Sequence, residues 1–419
     1  MPTVLLCTTT VGPEARAFDE AARRLGITLR LVVEPGVEAG ARLGTTLQAR
    51  FDRDPAAVEP VLSALAGAPV DGVVAAGDRP AWLAAHVAQA RGVPWHGPDA
   101  VASATHRLLA RGRWLAAGLP VPWFVSIPAT GDDDLERLSR VRFPALIAPV
   151  DLPCGDGAVR VGSADELMAA RTRLATGLAR SGRAASASAD TLIVEGVADG
   201  QAFALDCVLE AGALRVFALC AQVAASDDGD RATILVTPAP LARARQQVIA
   251  GHVARAALAL GLHHGPVHAE GVDDGEAVIV TAVVPRPIDG RRAGVVPVIA
   301  PDGSRCGLED VLLAHAVGRP LDGYGHEAVA RGVLRAPVTP IVSVGDGPCL
   351  SEIRGLPGVT AVDTAADPSM GLAGAGQGET RAVLVFAESG QPDDVIAVLR
   401  AVQRVLRAGQ ARVSPTPTA

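Results

Sequence analysis

The chain has 419 residues, and all 38 of its Lys+Arg side chains are arginine, because lysine and asparagine are both absent. That excludes Schiff-base chemistry, a Walker-type lysine and a lysine point charge over a triphosphate. A net charge of −7 with arginine spread evenly gives no basic stripe for nucleic acid, and no apolar run approaches the roughly eighteen residues of a membrane helix. Six cysteines lie far apart without CxxC spacing, the pattern of reduced thiols, so a soluble, cytoplasmic chain of two or three domains is expected. Aromatics make up 3% of the residues, so the core must rest on Ala, Val and Leu.

The N-terminus shows no basic region or cleavage site and reads as a first strand, Val4-Leu5-Leu6-Cys7. A turn at Gly12-Pro13, a helix from Glu14 to Leu25 closed by Gly26, and a strand at Ile27–Val33 follow. The pattern repeats as a helix over Pro55–Ala66, a strand over Gly72–Ala76 and a helix over Ala81–Arg91. Strand–helix–strand order at this spacing predicts a parallel α/β sheet, hence a Rossmann-like domain over residues 1–95. No GxGxxG follows the first strand, which argues against a dinucleotide.

Next come a helix over Ala102–Ala117, a connection at Pro120-Val121-Pro122, strands at Phe143–Pro149 and Val159–Val161, and a helix from Ser163 to about Leu178. Residues 180–189 are small and polar, a loop composition. Leu192–Val197, Ala202–Glu210, Leu214–Ala221 and Thr233–Val236 read as four strands of one antiparallel sheet. A helix over Ala242–Leu260, the segment Gly265–Gly271 and a strand at Ala277–Val284 complete a body spanning residues 96–330. Its lobes are expected at about 105–190 and 191–300. A βαβ-like unit is expected over 331–413, with a strand at Arg381–Phe386 and a helix at Pro392–Leu406, before a disordered tail at 414–419.

Several segments in this order resemble the ATP-grasp superfamily. They are Arg107-x3-Arg111 through Ala117-Gly118-Leu119-Pro120-Val121-Pro122, then Leu192-Ile193-Val194-Glu195, Gly265-Pro266-Val267-His268-Ala269-Glu270 and Arg286-Pro287-x-x-Gly290. Within it the chain is similar to carboxylate–amine ligases of the L-amino-acid-ligase type, built like biotin carboxylase. The resemblance implies α/β and α+β architecture: a Rossmann-like pre-ATP domain, a two-lobed ATP-grasp fold and a small α/β C-terminal domain. It also implies an activity that phosphorylates a carboxylate with ATP and Mg²⁺, after which an amine displaces phosphate from the acyl phosphate. The partners would be a small-molecule carboxylate and amine, with no nucleic acid and no membrane; a homodimer or an active ligase partner is compatible with this.

By the same resemblance, Arg107, Gly155, Gly157, Glu195 and Val197 would bind ATP, Glu270 would hold metal, and Arg286 would be catalytic by meeting phosphate or substrate carboxylate. The chain departs from the family at the positions that handle charge. Ala148 stands where relatives carry a second lysine, Pro153 and two aspartates interrupt the glycine loop 151–157, and by register from Arg286, Ala282 and Val284 replace a bridging glutamate and an asparagine. Coding bias explains missing lysine and asparagine but not a missing glutamate. Two readings follow: a ligase retaining Arg107, Glu195, Glu270 and Arg286 with one Mg²⁺, or a descendant with weak or lost ATP turnover that binds a ligand or pairs with an active ligase. His263, His264 and His268 lack zinc spacing, although His268 and Glu270 would share a strand face.

Overall fold

The computed structural model describes residues 1–37, 46–131, 135–151, 157–180, 190–226, 232–288, 293–338, 348–366 and 381–413. The expected loop 180–189 (apart from residue 180) and the expected tail 414–419 lie outside the described residues. Strand β1 (Thr3–Thr8) is buried on both faces, and α1 (Pro13–Leu25) begins on a proline whose missing N–H falls where no helical bond is due. Then come β2 (Thr28–Val33), β3 (Thr46–Gln48), α2 (Val58–Ala64), β4 (Gly72–Ala76) and α3 (Asp78–Arg91). The four strands form the expected parallel sheet, in the order β3-β2-β1-β4. Strand alternation splits its core: Leu5, Cys7, Val73 and Ala75 face Leu83 and Val87 of α3, whereas Val4, Leu6 and Val74 face Phe18 and Ala21 of α1.

Helices α4 (Pro98–Ala104) and α5 (Arg107–Ala116) lead into a second, four-stranded sheet. It contains β5 (Phe124–Pro128), β6 (Ala145–Pro149), β7 (Val159–Val161) and β8 (Thr191–Gly196), with short α6 (Leu135–Leu138) and long α7 (Ala164–Arg180) between them in the chain. The order is β5-β8-β6-β7. The strand at 191–196, expected to open a sheet with 202–210 and 214–221, instead pairs with β5 and β6. Its two faces explain this: Leu192 and Val194 pack under Leu167, Ala170 and Leu174 of α7, a partner the later strands do not share.

The third sheet has eight strands in the order β13-β12-β9-β10-β11-β17-β19-β18. Strands β9 (Gln201–Glu210), β10 (Ala213–Ala224) and β11 (Thr233–Thr237) are followed by α8 (Arg243–Ala259), β12 (Gly265–Asp273) and β13 (Val278–Val284). After β14 (Val298–Ile299), β15 (Arg305–Cys306), α9 (Leu308–Ala316) and β16 (Gly325–His326), strand β17 (Ala330–Val338) joins β11 and extends the same sheet. Helix α10 (Pro348–Arg354), β18 (Val359–Ala366), β19 (Arg381–Ser389) and α11 (Pro392–Val413) complete the chain. The pairings of β17 with β19 and of β19 with β18 are antiparallel, unlike the βαβ pattern expected for residues 331–413. One face of the large sheet packs Leu205, Val267, Val383 and Val385 against Ile249 and Val253 of α8 and Val395 and Leu399 of α11. The other packs Ala204, Val208, Cys220 and Val333 toward α1 and Val311 and Leu312 of α9.

The N-terminal sheet is anchored to the body through α9. Arg24 of α1 reaches Asp310 with two bonds of 3.0 and 2.7 Å, and Asp310 also accepts from the Gly307 N–H at the start of α9. A Cβ on Gly72 of β4 would run into the Ala316 carbonyl at the end of α9, so only glycine permits this approach. Histidines gather nearby. The His96 Nε2 lies 2.9 Å from the Pro266 carbonyl, and His264 and His315 stack with ring centroids 4.3 Å apart. Burial pushes His96 down to about 3 and His315 to about 4, with each feeling the charge of its neighbours, and His264 is lowered mainly by burial.

Gly72→Ala is expected to destabilise by about 1–3 kcal/mol through overpacking, read as a lower urea midpoint at unchanged slope. For the histidines the sign is fixed by their lowered folded values: below about 6.5 the unfolded chain takes up protons that the folded chain refuses. The stability that these histidines contribute is therefore whole above pH 6.5 and falls as pH drops toward 4. Calorimetric Tm is expected to fall by several degrees between about pH 7 and pH 5, and His315→Phe to flatten that slope.

Candidate active site

The cleft between the second and third sheets is bounded by α5. The His106 Nδ1 caps this helix by accepting the Leu109 N–H at 3.4 Å, and the Arg107 N–H donates to the Val150 carbonyl at 2.7 Å, tying the helix start to the end of β6. Trp114 and Arg113 hold the helix to α8 by donating to the Ala256 and Leu260 carbonyls. Arg107 and Arg111 are one turn apart and so lie on one face. Arg111 is 1% exposed, and its Nε and Nη2 meet the Glu195 carboxylate of β8 at 2.8 and 3.2 Å. The Arg111 Nη1 donates to the Thr281 carbonyl of β13 at 2.8 Å, and Arg107 Nη1 lies 3.8 Å from the Glu195 Oε1. Between α5 and β13 the remaining cavity is about 20 Å³, room for roughly one water.

On the cleft face of the second sheet Glu195 of β8 lies opposite Leu146 of β6, which in turn lies opposite the exposed Arg160 of the edge strand β7. Ala148 is buried with Val150 and Ile193, and Leu108, Phe124 and Ala158 pack against them. A lysine at 148 would therefore rise from an apolar cluster that includes the Phe124 ring. Gly157 is buried at φ 66°, a left-handed conformation that suits glycine, just before β7; Val197 is half-buried just past β8. Gly155 lies outside the described residues.

Glu270 sits on β12 at a bulge between it and Gly271, opposite Ala282 of β13, with Val284 opposite His268. The shared face expected for His268 and Glu270 is present: His268 Nε2 is 3.5 Å from Glu270 Oε1, an ion-pair contact. On its other side, His268 Nδ1 is 3.1 Å from Asp206 Oδ1 of β9, which also accepts the Ile288 N–H at 2.8 Å. Burial drives His268 down, but the Asp206 charge and hydrogen bond, with Glu270, outweigh it and hold His268 up at about 9. Among the described residues of β12 and β13, Glu270 is thus the one carboxylate at the cleft positions, with Ala282 and Val284 offering no oxygen ligand and an imidazolium at its side. Among the described residues no group of three His, Cys, Asp or Glu could hold a metal ion. A single carboxylate holds Mg²⁺ only where substrate phosphates and waters complete its near-octahedral oxygen shell.

Arg286 lies beyond the end of β13. Its Nε is 2.8 Å from Asp78 Oδ2 at the start of α3, and its Nη1 donates to the Pro287 carbonyl. Arg291 and Arg292 lie outside the described residues. Arg107 and Glu195 are thus together, Glu270 is linked to them through the Thr281 hydroxyl on its carbonyl at 3.1 Å, and Arg286 is engaged with the N-terminal domain. Two residues were given no site role by sequence. Arg111 was signalled by its i+4 spacing from Arg107; Asp206, one polar residue in an apolar strand, was the only local sign of its pairing with His268.

Residues 141–293 match the family model described as the ATP-grasp domain. The fold is similar to that of the L-amino acid ligase from Bacillus licheniformis, with a TM-score of 0.75 and 18% identity over 96% of this chain and 97% of that one. It is similar to the N5-carboxyaminoimidazole ribonucleotide synthetase from Thermus thermophilus, with a TM-score of 0.62 and 20% identity over 99% and 100%. The N5-carboxyaminoimidazole synthase from Aspergillus clavatus, in complex with ADP and 5-aminoimidazole ribonucleotide, matches at a TM-score of 0.66 and 14% identity over 96% and 98%. At these identities the likeness is one of fold.

Removing Arg111 would leave Glu195 buried without its bidentate partner. Arg111→Met is expected to cost about 3–5 kcal/mol in chemical denaturation, and Arg111→Met/Glu195→Leu to recover most of that, because the buried charge is removed with its counter-charge.

Proposed function

We propose, on the premise that this chain is an ATP-grasp protein, that it is of the carboxylate–amine ligase type with weak or lost ATP turnover, acting as a ligand-binding or partner subunit. The observation that carries this is the state of Glu195: the carboxylate that the resemblance assigns to ATP is held by Nε and Nη2 of Arg111 inside the fold. Three further features support the same reading. Ala148 sits in an apolar cluster where a phosphate-binding cation would stand. Ala282 and Val284 offer no metal ligand opposite Glu270 and His268. The Arg286 guanidinium is committed to Asp78.

Charge arithmetic strengthens the combination. A triphosphate carries several negative charges, and moving it from water into a cleft requires cations or N–H donors to replace the lost hydration. Here Arg111 and Arg107 face a carboxylate already in place, which cancels part of their field before any nucleotide arrives. The active-ligase alternative requires Glu195 to be released and one metal to be held through Glu270 alone.

The test is turnover. With ATP, Mg²⁺ and a panel of free amino acids supplying both carboxylate and amine, coupled ADP release is expected to stay at the no-enzyme rate. Amino-acid-dependent ADP release by the unaltered chain would overturn the proposal.

A further inference from the structure

A cavity of about 400 Å³ opens on the large sheet away from the cleft, at β17, β19 and β18. Its volume falls in the range of small-molecule sites. In strand order its nearest wall, β17, lies four strands from β12, or ~19 Å at the usual interstrand spacing. It is thus separate from the Arg107–Glu195–Glu270 region.

Register explains its chemistry. Arg331 of β17 lies directly opposite Glu388 of β19, and Val333 lies opposite Phe386, so one charged pair and one aromatic ring stand side by side on the same face. Arg331 Nε donates to Glu388 Oε2 at 2.9 Å, and its Nη2 donates to Glu327 Oε2 at 2.9 Å. Its Nη1 makes no hydrogen bond to a described residue. Glu388 Oε1 has, among the described residues, only the exposed Arg305 Nη2 at 3.8 Å, beyond hydrogen-bond distance. The cavity therefore presents a vacant donor and a vacant acceptor of opposite charge, each held in place by a second bond on the same side chain. Two backbone features shape it. The β18 ladder shifts between Val359 and Ala361, inserting Thr360 as a bulge at the rim, and Gly294 leaves uncovered the edge of the Phe386 ring that a Cβ would touch at 3.7 Å.

We infer that this cavity is a binding site for a small zwitterion of the free α-amino-acid class, carboxylate on Arg331, amine on Glu388 and side chain against Phe386. A carboxylate accepts from Nη1 as a charge-assisted hydrogen bond, and an ammonium donates to Oε1. An aromatic or aliphatic side chain meets the ring in an offset or edge arrangement. A monocarboxylate or a simple amine satisfies only one of the two charges, so recognition requires both. This inference is independent of the nucleotide reading, because no residue of the cleft lines the cavity.

The experiment is isothermal titration calorimetry of the full chain, without nucleotide, against L-phenylalanine, N-acetyl-L-phenylalanine and L-phenylalaninamide. Saturable binding of phenylalanine is expected, with each blocked analogue about ten- to hundredfold weaker. Glu388→Gln is expected to weaken phenylalanine by a similar factor. Ala361→Trp, which fills the cavity from an exposed position and keeps every charge, is expected to abolish binding. Circular dichroism confirms that each variant is folded, and Ala361→Trp carries the test if Glu388→Gln is not. Three results would overturn the inference: no saturable heat at millimolar phenylalanine, equal binding of either blocked analogue, or binding unchanged by Ala361→Trp. None of them bears on ADP release, so this site and the nucleotide reading fail separately.

Discussion

The cleft is organised around one interaction, the buried pairing of Arg111 with Glu195. Two bonds to the carboxylate and a third to the Thr281 carbonyl join a helix, strand β8 of one sheet and the β13 edge of another. Such a pair is not strongly stabilising when compared with a well-packed apolar substitute, yet it is costly to break from one side. That asymmetry makes it a lock: the carboxylate cannot turn to a ligand without leaving a guanidinium buried and unpaired. It also gives the Thr281 carbonyl of the β13 edge strand a donor.

The remainder of the cleft bears on the proposed loss of ATP turnover. Where a cation is expected, Ala148 packs among apolar side chains, and where two more metal ligands are expected, Ala282 and Val284 line β13. Glu270 keeps its place, but its neighbour is a His268 held charged between two carboxylates. The local charge is thus balanced within the protein. A magnesium ion or a triphosphate brought here would have to disrupt partnerships already satisfied, rather than complete an open one.

Much of this was legible in sequence. Apolar alternation and Gly/Pro punctuation located the parallel N-terminal sheet, and motif order placed Arg107, Glu195 and Glu270 on elements that do converge. What was illegible was pairing at a distance. Arg111 and Glu195 are 84 positions apart, and Asp206 and His268 are 62 apart, so local periodicity carries no trace of either contact. Sheet membership was hidden for the same reason. The strand at 191–196 and the strand β17 each have an apolar face that suits several neighbours, and only the packing of α7, α8 and α11 selects one. The lysine-free composition matters locally rather than globally: Arg107 keeps a cation, Ala148 does not.

The central proposal is that ATP turnover is weak or lost because the groups around Glu195 are already partnered, and equilibrium dialysis of the full chain against radiolabelled ATP with excess Mg²⁺ tests its first step, nucleotide binding. The account predicts no saturable binding up to millimolar ATP and no difference when Mg²⁺ is withheld. Saturable, Mg²⁺-dependent binding at micromolar ATP, lost in Glu195→Gln, would contradict it.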